Sequence, residues 1–274
     1  MDNNPKCRLM SGKGELLMFA DWERALFMHF EVDPCALQSE VPFSLDLREG
    51  KAYVSLVAFT MRRLRPRVGG RLAEWCFKPI ATHELLNLRT YVQHRGEAGI
   101  YFLAEWIPNR LSAFLGPRTF GLPYRLGHLD YRHRHEEGIL NGRVESTLKE
   151  PEPARLIYEA HLHRGSNGAQ ENPFRVCAAG SLDEFLLERY TAFTRQGSKA
   201  RFFRIWHPPW LQKPVEVSLL DDSLLRSSGS WAQAATLVGA NYSPGLQDVW
   251  MGRPHKAETC PESHSVLSGF FQMP

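Results

Sequence analysis

None of the five cysteines, Cys7, Cys35, Cys76, Cys177 and Cys260, stands close enough to another to form a Cys-x-x-Cys pair. That spacing argues against a zinc ribbon, a thioredoxin-type site and a disulfide framework, and reads as reduced thiols in a cytoplasmic protein. Apolar runs long enough to cross a bilayer are lacking, so no membrane partner is expected. The amino-terminal stretch 1–14 is polar, without the basic, apolar and small-residue succession of a secretory signal. No Gly-x-Ser-x-Gly elbow, Walker loop or Gly-x-Gly-x-x-Gly turn occurs, which removes the basic parts of serine hydrolase, nucleotide triphosphatase and dinucleotide oxidoreductase sites. His83-Glu84-Leu85-Leu86-Asn87 opens like a zinc-protease helix, but Asn87 stands where the second histidine must be, and the segment alternates like a strand. No metal and no cofactor is expected.

What is present is ordinary for a globular chain: 43% hydrophobic and 23% charged residues, with a net charge of +3. With neither internal repeat nor low-complexity linker, a single domain over 1–274, with polar termini 1–14 and 252–274, is the simpler organisation. Arg62, Arg63, Arg65, Arg67 and Arg71 concentrate positive charge beside Gly69 and Gly70. A nucleic-acid-associated protein using this loop is one alternative, but no aromatic stacking series accompanies it, and a solvated loop between two strands is favoured.

Hydrophobic periodicity predicts mostly strands. Phe27 to Val32 read as part of a first strand, and Asp33-Pro34 starts a helical turn that stops by Pro42. Residues 52–61 are apolar on both faces and predict a central strand. Leu86, Leu88, Thr90 and Val92 alternate with Leu85, Asn87, Arg89 and Tyr91, so three polar groups converge on one face. Gly96 and Gly99 turn that strand back into Ile100 to Trp106. Residues 111–120 predict a short helix interrupted by Gly116-Pro117, then a strand from Tyr124 to about Arg134 that carries His133 and His135 on one face of its exposed end. His161 and His163 repeat that pair; without a third ligand, solvation is favoured over a metal. Ser181 and Glu184 form a capping box opening a helix with Phe185, Leu186, Arg189, Tyr190 and Phe193 on one face, ending at Gly197. Strands at Ala200 to Ile205 and Val215 to Leu220 follow, and Ser243-Pro244-Gly245 reads as a tight turn.

Several segments together resemble a known family: Trp22 with Ala25-Leu26-Phe27-Met28-His29-Phe30; Leu86-Asn87-Leu88-Arg89-Thr90-Tyr91-Val92; Phe120-Gly121-Leu122-Pro123-Tyr124; His207-Pro208-Pro209-Trp210; and Tyr242-Ser243-Pro244-Gly245. They look like the YqjF-like family of uncharacterised bacterial proteins, within the acetoacetate-decarboxylase-like superfamily. The resemblance implies a mostly-β α+β fold: a curved antiparallel sheet closing into a cone-shaped barrel around a small-molecule cavity, with a few outer helices. Decarboxylases of that superfamily carry Pro-Lys-Lys where this chain has Pro123-Tyr124-Arg125. The first lysine forms the Schiff base, so the resemblance implies that Schiff-base decarboxylation is absent here. The family pattern also leads one to look for a glutamate at Leu85. Glu84 lies one residue earlier, and an offset of one turns a strand side chain to the opposite face unless a bulge restores it.

The candidate site follows. Arg125 and Arg89 would clamp a carboxylate or phosphate, Asn87 and Tyr91 would orient the ligand, and Tyr124 or His29 would transfer a proton next to a carbonyl as a lyase- or isomerase-like step. Bland readings stand beside these: Arg89 paired with an internal acid, Asn87 satisfying backbone groups, His29 a satisfied core residue, Arg118 a buried pairing at a helix end, and His207 part of a proline-rich corner. The expected partner is a small organic acid, with a homo-oligomer as a further expectation. A non-catalytic sensor or carrier is the rival to an enzyme.

Overall fold

The computed structural model describes residues 6–7, 9, 15–147, 153–162 and 173–258. His163, Cys260 and most of the two polar termini lie outside the described residues. The strands are β1 (Leu16–Val32), β2 (Ser44–Leu45), β3 (Ala52–Pro66), β4 (His83–His94), β5 (Glu97–Ile107), β6 (Tyr124–Arg134) and β7 (Ile139–Ser146), followed by β8 (Arg155–His161), β9 (Thr191–Gln196), β10 (Lys199–Trp206), β11 (Lys213–Pro214), β12 (Glu216–Asp221), β13 (Thr236–Gly252) and β14 (His255–Ala257). The structure is thus mostly sheet with a few helices, the α+β class read from periodicity.

Seven strands pair in a closed ring, β5–β9–β10–β13–β1–β3–β4 and back to β5. A second layer, β6–β7–β8–β12, joins the ring along β5. The described sheet is antiparallel except where β5 pairs in parallel with β6 at one end and with β9 at the other, in keeping with the mostly antiparallel expectation. Strand alternation builds two cores. Phe27, Val57, Leu85, Phe102 and Phe203 fill the ring interior, while Met28, Leu56, Leu88, Trp106 and Tyr158 pack between the ring and the second layer. β3 contributes to both, which is why residues 52–61 are apolar on both faces.

Local signals hold in part. Asp33 caps the helix Pro34–Gln38 by accepting the Ala36 N–H at 2.7 Å. Ser181 accepts the Glu184 N–H at 3.1 Å, but Glu184 reaches back to the Gly180 N–H. That helix stops at Leu187, and Phe193 lies on β9, paired opposite Phe202 of β10. Pairing with β10 and β5 overrides helical periodicity there, and Gly197 turns the β9–β10 hairpin at φ 58°. Ser243-Pro244-Gly245 is no tight turn but lies within β13. Gly245, at φ 125°, presses against the chain at Trp22, where a Cβ would meet the Trp22 carbonyl oxygen at 2.2 Å. The expected polar tail from Gly252 begins instead with β14, which pairs with β10. Gly116-Pro117 does not interrupt its helix, which runs unbroken over Arg110–Phe120.

The arginine segment is not a solvated loop between strands. Arg62, Arg63 and Arg65 sit on β3 and pair with Glu23, Asp21 and Asp248, and Gly70–Phe77 is helical. Three of its five cations are thus engaged within the chain. Arg118 is exposed rather than buried, donating to the Phe114 carbonyl with its guanidinium 3.6 Å from the Phe114 ring centroid.

Candidate active site

The ring encloses a cavity of about 80 Å³ lined by apolar side chains and four polar ones, Asn87, Arg89, Glu105 and Tyr124. Alternation along β4 turns Leu85, Asn87 and Arg89 inward, and Tyr91 lies on the same face, as the sequence pattern requires. Asn87 pairs across the sheet with Glu105 on β5, and Glu105 pairs with Tyr124 on β6. The three side chains therefore come from adjacent positions on three neighbouring strands.

Glu105 is the member that sequence reading missed. By period-two alternation it would share a face with Tyr101 and Leu103, away from Phe102. The β4–β5 register slips between Leu88 and Arg89, leaving Leu103 as an extra residue. This bulge reverses the parity, so Phe102 and Glu105 both face the cavity while Ala104 and Trp106 face the other core. The available signal was a lone carboxylate in the otherwise apolar run 100–107. Glu84, in contrast, is half-buried on the opposite face of β4, near Tyr131, and does not line the cavity.

Tyr124 and Arg125 are consecutive in one strand and point to opposite sides. Tyr124 lines the cavity, while the Arg125 guanidinium lies 5.4 Å from the centroid of the Trp106 ring, against the outer core. The expectation that both polar heads share one pocket is corrected on this point: period-two geometry separates them. Above Tyr124, the helix Arg110–Phe120 approaches so closely that a Cβ on Gly116 would lie 2.2 Å from the ring. That contact explains a glycine in mid-helix.

The electrostatics of the cavity are unusual. Arg89 is 7% exposed, Asn87 6% and Glu105 3%. Arg89 Nε, Asn87 Oδ1 and Glu105 Oε2 have no hydrogen-bond partner among the described residues. One Arg89 amino group donates to the Leu186 carbonyl at 3.0 Å, and among the described residues no carboxylate forms an ion pair with the guanidinium; burial lowers its pKa. Burial also pushes the Glu105 carboxyl up to about 8, so it is largely protonated at neutral pH. Burial, with Glu105 nearby, raises the half-buried Tyr124 phenol well above its ordinary value. Near pH 7 the cavity thus holds one cation, a neutral acid and a neutral phenol.

A carboxyl with a folded pKa above its unfolded value leaves stability intact below about pH 4.5, and costs progressively more as pH rises toward 8. Glu105→Gln is therefore expected to gain on the wild type by about 1.4 kcal/mol per pH unit between pH 5 and 8, then hold steady. Urea unfolding at four pH values measures this; a gap independent of pH would contradict it.

His29 lies on β1, outside the cavity lining. Its Nδ1 meets Ser55 Oγ at 2.7 Å and its Nε2 meets Asn241 Oδ1 at 3.1 Å. Because Asn241 presents a carbonyl oxygen, Nε2 carries the proton and Nδ1 accepts from Ser55. Burial and the Arg89 charge push its pKa down to about 3, so the ring stays neutral. Ser55 continues to the Tyr91 hydroxyl at 2.5 Å, which contacts the same Leu186 carbonyl as Arg89. His29 and Tyr91 thus form a buried chain that holds Arg89 from behind. His207 is buried in the proline-rich corner, stacked on Tyr190, with Nδ1 on the Pro208 carbonyl.

The histidine pairs are also placed. His133 is buried rather than exposed, bonded to the Arg24 carbonyl and the Tyr158 hydroxyl, whereas His135 meets the Tyr242 hydroxyl and His161 is exposed. Among the described residues no group of three or more His, Cys, Asp or Glu side chains converges to hold a metal ion. No helix among them is long and apolar enough to cross a membrane.

The fold, a ring of strands flanked by a second antiparallel layer, is like that of acetoacetate decarboxylases. The structure is similar to an acetoacetate decarboxylase from Legionella pneumophila, with a TM-score of 0.56, 15% identity, and 88% of this chain and 87% of that chain covered. It is likewise similar to the enduracididine biosynthesis enzyme MppR complexed with pyruvate, at a TM-score of 0.53 and 11% identity over 89% of this chain and 91% of that one. The chain itself belongs to the DUF2071 family, described as "Uncharacterized conserved protein (COG2071)", whose model matches residues 19–247. A relative from Bacillus subtilis (strain 168), "Uncharacterized protein YqjF", is 30% identical over 222 residues, 79% of this chain and 83% of that protein.

Proposed function

We propose that this chain binds a small organic acid in the ring cavity and catalyses proton transfer at a carbon next to its carbonyl. The observation that carries the reading is the set of three buried, unpartnered polar atoms on Arg89, Asn87 and Glu105 around one cavity. A guanidinium buried without an acid is costly, and an incoming carboxylate supplies the missing charge and acceptors. Glu105, kept neutral by burial, does not repel that anion. Its ionised minority at neutral pH would take the proton from the carbon, the Tyr124 hydroxyl would donate a hydrogen bond to the carbonyl oxygen as negative charge develops there, and the proton would return from Glu105 to the enolate carbon. Asn87, whose Oδ1 has no partner among the described residues, would accept a hydrogen bond from the ligand and fix its orientation. Arg125 lies apart from this set, and its contribution would be to the setting of β6 rather than to the ligand.

The chemistry would be lyase- or isomerase-like without a Schiff base, since no lysine lines the cavity among the described residues. A neighbour of the same fold, MppR, is described with pyruvate bound, which makes a keto acid a reasonable first probe. The test is a panel of oxo, hydroxy and enol acids offered to the wild type and to Tyr124→Phe, read by proton exchange at the ligand carbon and by thermal shift. Exchange that falls at least tenfold in Tyr124→Phe, with binding retained, supports the reading. Selective binding with no exchange in either protein would instead make the chain a ligand sensor or carrier. Borohydride treatment with a β-keto acid should trap no lysine adduct.

A further inference from the structure

We infer that the acid carries an extended apolar tail, with its carboxylate in the ring cavity and its chain in a larger chamber outside it; this rests on the ligand reading just given. The ring cavity, at about 80 Å³, has room for a head group and little more. A second chamber of about 410 Å³ shares the lining residues Met61, Leu122, Tyr124, Phe203 and Met251 with it, so the two adjoin with only these side chains between them. The helix Arg110–Phe120 contributes Leu115 and Phe120 to this outer chamber, and the segment 77–80 contributes Phe77 and Ile80.

The two chambers differ in chemistry. Arg89, Asn87 and Glu105 belong to the inner one alone, whereas the outer wall is almost entirely hydrocarbon. Sugars and phosphates in the outer chamber would leave their hydroxyls or charges facing that wall without partners. An alkyl chain has nothing to lose there and is removed from water on entry. Two buried side chains interrupt the wall, His83 and Ser112, whose ring nitrogens and Oγ have no partner among the described residues. They suit one hydroxyl or keto oxygen along the tail and no more. Leu72, Trp75, Leu111 and Phe114 are exposed on the helices that bound the chamber, giving an amphipathic ligand an apolar approach.

The experiment is calorimetric titration of the intact chain with straight-chain carboxylates from acetate to decanoate, beside the matching primary alcohols. Each methylene added beyond butanoate should tighten binding about fourfold until the chamber fills. Ser112→Phe and, as a second choice, Leu115→Phe should end that gain several carbons earlier while leaving acetate and propionate affinity unchanged. Affinity that stays flat with chain length, with short acids still bound and dependent on Arg89, overturns the tail and leaves the acid site standing. Alcohols binding as tightly as the acids overturn the acid site while retaining the apolar chamber. No binding at any length overturns both.

Discussion

Lowering the pH from 6.5 to 5 is expected to destabilise this protein, by about 3 kcal/mol per pH unit on average and more steeply toward the acid end. Four histidines are held neutral in the fold. Burial, with the Arg89 charge, takes His29 down to about 3, and burial takes His83, His133 and His207 down to about 4. For a histidine with a lowered folded pKa, the stabilising contribution is complete above about pH 6.5 and is lost as pH falls toward the folded value. At pH 5.5 each unfolded imidazole binds about 0.9 proton and each folded one almost none. Glu105 opposes this, being protonated in the fold and ionised when unfolded at that pH. The net uptake on unfolding is therefore close to about three protons, enough to exhaust an ordinary stability margin of about 5–15 kcal/mol within two to three pH units. Urea unfolding at half-unit steps of pH measures the slope. A flat profile between pH 6.5 and 5 would mean that these rings are charged, or bonded differently, in the fold.

The second large effect is expected at Arg89. Arg89→Met should leave the protein folded at neutral pH and no less stable, or more stable by about 1–3 kcal/mol, because an unpaired buried cation is exchanged for a side chain of similar volume. The exchange removes the Arg89 donor from the Leu186 carbonyl, a cost of about 1 kcal/mol that release of the buried, unpaired charge outweighs. Carboxylate binding should weaken at least about 100-fold, the scale of a lost charge-assisted pair. His29 and His207 should both titrate at higher pH in the variant, since the Arg89 charge contributes to holding each of them down. Proton NMR of the imidazoles and calorimetry with pyruvate would read both changes. Destabilisation of about 3 kcal/mol or more, with binding unchanged, would make Arg89 a structural element and remove the anion site.

How far the site could be read from residues differs strand by strand. On β4 the alternation of Leu85, Asn87, Arg89 and Tyr91 was sufficient, because an unbroken strand keeps one face for every second residue. The same rule, applied to Tyr124 and Arg125, separates two neighbours that proximity in sequence invites one to combine. Helical periodicity after Ser181 misleads from Glu188 onward, because Thr191 to Gln196 gain more from pairing with β10 than from extending a short helix. Gly116 carried no legible reason in the sequence; the reason is the Tyr124 ring, packed beneath it from the next strand.

The sequence by itself determined the class of fold, the inward set on β4, the lack of a lysine beside Pro123 and the membership of its family. Tertiary structure alone decided which acid faces Arg89. Glu105 enters the cavity because one extra residue in β5 reverses the face of everything after it, and a bulge of that kind is set by the register between two strands rather than by the residues of either one.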